Sequence, residues 1–194
     1  RRGQGPDPRE PLWEVNAAPA EYFHRMLWDD ERGSSAREYL EQRRISRPTA
    51  ERFGFGFAPR EIGLLRSHLG ALGFDDERLL AAGVLVRSDE EGAEPRPRFR
   101  TRLVFPIRDL SGHVGGFGGR LLGAGEPKYL NSAESATFSK GRLLYNLHGA
   151  KQHIVPLDAA AHEVARRKRS IGQRRIEVRD VPHDGPPGID AQLA

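Results

Sequence analysis

Cysteine is absent from the 194 residues, so the chain can form neither a disulfide nor a zinc site built on thiolates. Long apolar runs are absent too. Nothing approaches the ~18 consecutive apolar residues of a membrane-spanning helix. Arg1, Arg2 and Gly3 lead into prolines and polar residues, with no apolar signal core, which sets the cytoplasm as the expected compartment. The seven histidines are scattered, and no pair has helical ligand spacing. His113, His148 and His153 lack a nucleophile partner in the pattern, and no catalytic residue is assigned. Carboxylates are also sparse within and after the basic middle of the chain, where no paired cluster offers magnesium a site. The expectation is a chain that holds no metal of its own.

What is present is a soluble composition, with 37% apolar and 30% charged residues, and a length that allows one substantial core with tails. The net charge of +4 conceals an uneven distribution. Residues 1–95 carry 14 Lys/Arg against 18 Asp/Glu, residues 96–142 carry 9 against 3, and residues 143–194 carry 8 against 6. A basic middle beside an acidic first half points to a phosphate-bearing partner, or equally to a solvated basic face.

Periodicity gives an α+β order, short helices followed by antiparallel strands. Residues 1–13 read as a linker, rich in Pro, Gly and charge. Asn16 is placed to cap a first helix over 17 to about 31, with Phe23, Met26 and Leu27 on its apolar stripe. A capping box at Ser35 and Glu38 predicts a second helix over 36–44, with Tyr39 and Leu40 facing the core. Ser46 caps a third helix that ends at Gly54, and Phe55, Gly56 and Phe57 form a short strand before Pro59. Ile62, Leu65 and Leu69 mark a fourth helix, and Asp75 opens a fifth that ends at Gly83. A strand over 84–86 and a charged loop over 89–97 lead into a central hairpin. A last helix is expected over 140 to about 150. Residues 151–194 have little periodic apolar pattern and read as a disordered tail.

The hairpin carries the chemistry. Residues alternate over 98–107, which places Phe99, Leu103, Phe105 and Ile107 on one face of a strand and Arg98, Arg100 and Arg102 on the other. Residues two apart on a strand are about 6.6–6.8 Å apart, close to the phosphate repeat of an extended nucleic acid strand. The competing reading is an exposed strand that uses charge against edge pairing. Gly115, Gly116, Gly118 and Gly119 match neither a Walker loop nor a dinucleotide fingerprint, and mark either a bulged strand or a ligand contact. Arg120 closes that run. Lys128, Asn131 and Ser132 then offer an ammonium, an amide and a hydroxyl in an irregular segment suited to a triphosphate or a sugar-phosphate backbone. Lys140 opens the last helix, where a bound phosphate would offset its unfavourable place on the helix dipole.

Several blocks together resemble bacterial DNA primase of the DnaG type. They are the arginine-rich strand 98–109, Gly116-Phe117-Gly118-Gly119-Arg120, Pro127-Lys128-Tyr129-Leu130-Asn131-Ser132 and the 138–145 block. Upstream, Ala36-Arg37-Glu38-Tyr39-Leu40 with Arg43, and Phe55-Gly56-Phe57-Ala58-Pro59, are similar to the same family. The resemblance covers residues 14–150 and implies the N-terminal subdomain of the catalytic core, with short helices packed on a small, mainly antiparallel sheet. It implies a role in synthesising short RNA primers on single-stranded DNA during replication. The full-length family also has a zinc-binding domain and a magnesium-binding Toprim subdomain, and works beside the replicative helicase. Carried over by position, Arg43, Arg98, Arg100, Arg102 and Arg120 match nucleic-acid-binding positions. Lys128, Asn131 and Lys140 match positions that meet the nucleotide. Partners implied are template, RNA primer and nucleoside triphosphates.

The departures are specific. Ser132-Ala133-Glu134-Ser135 stands where the family has serine-proline-glutamate-threonine, and Arg44 stands where it has a glycine. Nothing after Lys151 matches the glutamate-glycine-tyrosine-x-aspartate-valine metal motif. The expectation is therefore a truncated or frameshifted primase, inactive alone. The alternative is a non-catalytic module that grips single-stranded nucleic acid.

Overall fold

The computed structural model describes residues 10–87, 92–141 and 145–151. The expected linker falls mostly, and the expected tail almost wholly, outside them. The α+β expectation holds. Six helices and six strands are described, four of the strands in one antiparallel sheet.

Helix α1 (Glu10–Trp28) buries Val15, Tyr22, Phe23, Met26 and Leu27. It begins earlier than Asn16, because Asn16 is not a cap. The side chain is fully buried and its Nδ2 donates to the Gly115 carbonyl (3.1 Å) and to Thr137 Oγ1 (3.3 Å). An asparagine in a helix interior, anchored 99 residues away, looks in sequence like a terminus. Helix α2 (Ser34–Gln42) follows a 3-10 turn, and Gly33, not Ser35, occupies its N-cap. Helices α3 (Arg47–Arg52), α4 (Ile62–Ala71) and α5 (Asp76–Ala81) fall where periodicity puts them. Ser46 and Asp75 cap α3 and α5 by accepting from the Thr49 and Arg78 amides.

Strand β1 (Gly56–Ala58) pairs with β4 (Arg102–Arg108), which pairs with β5 (Val114–Leu121), which pairs with β6 (Tyr129–Asn131), all antiparallel. Strands β2 (Leu85–Val86) and β3 (Arg96–Pro97) form a separate two-stranded ribbon. Helix α6 (Leu147–Ala150) is one turn, shorter than the helix expected from residue 140, and residues 142–144 of that span lie outside the described part.

The main sheet is covered on both faces. Val104 and Phe117 pack with Phe23, Leu65 and Phe99, while Leu103 and Phe105 pack with Leu27, Leu40 and Phe55. The β5 glycines make this possible. A Cβ on Gly116 would lie 2.7 Å from Phe138, one on Gly119 2.7 Å from Phe99, and one on Gly118 would overlap Phe105. The run is thus room for aromatic rings. The register irregularity lies beside it, between Ile107 and Arg108 of β4. Among the described residues no helix is long and apolar enough to cross a membrane.

Candidate nucleic-acid interface

The alternating arginines do not lie along one strand. Thr101 has a φ of 51°, a left-handed conformation that a β-branched residue rarely adopts, and β4 begins after it at Arg102. Covering both sheet faces also leaves no open face on β4, whose residues are buried from Arg102 to Ile107. The expected single row of three is therefore replaced by a bent segment ending in a buried arginine.

That segment lines an open cleft of about 760 Å³. Arg60, Arg96, Arg98, Arg100 and Arg102 line it, with Leu121, Leu130 and one carboxylate, Glu126. The arginines divide by the partners they already have. Arg102 is 6% exposed and donates to the Pro127 carbonyl (2.8 Å) and to those of Lys128 and Gly119 (3.3 Å each). Arg98 is half-buried and donates through Nε to the Asn131 carbonyl at 2.6 Å. Burial lowers the pKa of both guanidiniums, and the charge of Arg98 adds to the effect at Arg102. Arginine nevertheless stays charged. Arg60, Arg96 and Arg100 are exposed, and among the described residues their guanidiniums have no hydrogen-bond or ion-pair partner. A cleft with five cations, three of them uncommitted, and a single acid attracts a polyanion.

Arg120 faces the other way. In the β4–β5 register it stands opposite Leu103, while Arg102 stands opposite Leu121, and successive strand residues point to opposite faces. On its own face Arg120 meets Tyr129, across from it on β6, and Tyr39 of α2. Its Nη1 donates to the Tyr129 hydroxyl, and its guanidinium carbon lies 5.1 Å from the centre of the Tyr39 ring. Arg43 approaches the same ring to 5.3 Å. Tyr39, expected to face the core, sits partly buried at the core's margin.

The remaining expected residues are less tightly grouped. Lys128 is exposed and does not line the cleft, and its amide donates to Glu126 Oε2. The 129–131 segment is strand β6, not irregular loop, and the Asn131 side-chain oxygen is buried without a partner. The Ser132 hydroxyl accepts the Phe117 N–H at 2.9 Å, so it is spent on extending the ladder. Lys140 is exposed in a turn, with its amide on Glu134 Oε1, and opens no helix. Lys140 therefore carries no helix-dipole penalty for a phosphate to offset. Sequence reasoning missed Arg60, Arg96 and Tyr39. Arg96 continues the alternation two residues before Arg98 and was legible. Arg60 and Tyr39 reach their places by tertiary contact alone.

Among the described residues no three of His, Cys, Asp and Glu gather as metal ligands. They do not fit the magnesium or zinc that the resemblance implies for the full-length family.

Comparison with known proteins gives one answer. The family pattern described as DNA primase catalytic core, N-terminal domain, matches residues 22–151. The DNA primase of Pseudomonas aeruginosa is 40% identical over 162 residues, covering 81% of this chain and 24% of that protein. Among solved structures, the DnaG primase catalytic domain bound to ssDNA is 40% identical with a TM-score of 0.66, over 75% of this chain and 46% of that one. The RNA polymerase domain of Mycobacterium tuberculosis primase DnaG is 36% identical with a TM-score of 0.69, over 75% and 47%. The chain thus spans about a quarter of the length of the curated relatives it matches. It belongs to the family of the DNA primase catalytic core, N-terminal domain.

Proposed function

We propose that this chain is the part of a DNA primase that holds single-stranded template and nucleotide phosphates during primer synthesis. The observation that carries the reading is the arginine cleft. Arg60, Arg96 and Arg100 are free to bind phosphate oxygens, often bidentately, while Arg98 and Arg102 brace the cleft wall through carbonyls. The relative solved with ssDNA bound supports single-stranded DNA as the ligand class. On the opposite face of the sheet, Arg43 and Arg120 meet further phosphates of the bound strand, and Lys128, Asn131 and Lys140 meet the incoming triphosphate. The role of the four charged residues is electrostatic, cations placed where phosphate charge arrives, and Asn131 offers a neutral amide. The RNA primer, the nucleoside triphosphates and a replicative helicase are the partners of the whole enzyme under this reading, and residues 14–150 are its working unit.

The nucleotide separates this reading from a module that only grips single strands. Chemical acetylation of Lys128 and Lys140, read by mass spectrometry with and without nucleoside triphosphate on a bound template, is expected to show protection of both. Protection by the template alone, with no further change on adding nucleotide, would favour the non-catalytic module. The same mixture with magnesium is expected to yield no primer from this chain alone, and a template-dependent product would overturn that part.

A further inference from the structure

We propose that Tyr39 is a positioning residue: its ring gathers Arg43 and Arg120 at one place as a phosphate-binding pair. The inference rests on the reading above, in which those two arginines meet nucleic-acid or nucleotide phosphates.

The guanidinium carbons of Arg43 and Arg120 lie 5.3 and 5.1 Å from the centre of the same ring. They come from a helix end and a strand 77 positions further along the chain. Two like charges repel, and among the described residues neither has a carboxylate partner. The π electrons of the Tyr39 ring are the attraction they share. Arg43 is exposed, so an unheld guanidinium there would sample many rotamers. The ring holds it before any ligand arrives.

The backbone is fixed to suit. Tyr39 and Arg43 are four residues apart and so share a helix face. The end of α2 is closed by Arg44 N–H to the Glu41 carbonyl and Ile45 N–H to the Leu40 carbonyl, 2.9 Å each. Arg120 is steadied from its other side by Tyr129. Its Nε is nevertheless buried without a partner. A purely structural arginine would have all its donors satisfied, as Arg102 more nearly does through three carbonyls.

The test uses the full chain and a fluorescein-labelled oligothymidylate, with affinity read by anisotropy at fixed salt. Tyr39→Leu is expected to weaken binding about five- to tenfold, and Tyr39→Phe to restore it to within about twofold, because the ring face is kept. In an Arg43→Ala/Arg120→Ala background Tyr39→Leu should cost nothing further. Wild-type affinity for Tyr39→Leu beside weakened Arg43→Ala/Arg120→Ala would overturn the positioning role and leave the functional reading standing. An equal loss in both backgrounds would also overturn it, as damage to the fold. Wild-type affinity for Arg43→Ala/Arg120→Ala would overturn the pair and with it the role of Tyr39, while the cleft's part in template binding would stand. Fluorinated phenylalanines at position 39 keep shape while draining the ring face. Affinity should fall stepwise with fluorination, and a rise or no change would contradict the proposal.

Discussion

At the scale of the residue, arginines that look alike in sequence do different work. Arg102 and Arg100 are two apart and equally charged, yet one is buried against carbonyls and the other is open in the cleft. Removing the Arg102 guanidinium would withdraw a donor from the carbonyls of Pro127, Lys128 and Gly119, of which Lys128 keeps the Leu121 N–H. Arg102→Ala should cost about 2–3 kcal/mol in a urea titration, and Arg102→Lys should not recover it, since an ammonium cannot span three acceptors in a plane. Arg100→Ala should leave the urea midpoint in place and weaken single-stranded DNA binding. The opposite pattern would exchange their roles. Nothing in the sequence separates the two, because burial here depends on a single backbone kink at Thr101. Arg44 teaches the converse. The glycine expected there from the family pattern has a physical reason, since Arg44 holds a φ of 56°. Arg44→Gly is expected to raise stability by about 0.5–1 kcal/mol, relief of left-handed strain outweighing glycine's added freedom. A lower urea midpoint would contradict this.

At the scale of the element, helix closures on glycine were the most legible feature and strand faces the least. Helices α3, α4 and α5 each close on a glycine with positive φ, Gly54, Gly73 and Gly83, and each closure pairs that glycine's amide and the next one with carbonyls of the last turn. Caps and closures are local, so Ser46, Asp75, Gly54 and Gly83 could be read directly. The start of α1 could not, because Asn16 bonds to β5 and to Thr137, across the fold. The glycines of β5 were ambiguous for the same reason: what they make room for comes from residues 99, 105 and 138. Gly118→Ala should destabilise the sheet by about 1–3 kcal/mol through overlap with Phe105, and Phe105→Leu should recover part of the loss. Full stability of Gly118→Ala would instead favour a ligand-contact role for the run.

At the scale of the whole molecule, the two-sided core decides where charge can go. Because helices cover both faces of the sheet, cations are pushed to its margins: the cleft bounded by the 96–102 segment on one side, the Tyr39 cluster on the other. The basic middle of the sequence announced a phosphate-bearing partner, but its division into two sites depends on the alternation of Arg102 and Arg120 across the β4–β5 register. The salt dependence of single-stranded DNA binding reads the cleft's charges most directly. Log affinity should fall linearly with log salt, and Arg60→Ala/Arg96→Ala/Arg100→Ala should flatten the slope by roughly 0.7 for each phosphate no longer neutralised, about 2 in all. An unchanged slope and affinity in that variant would contradict the assignment of the cleft to the template backbone.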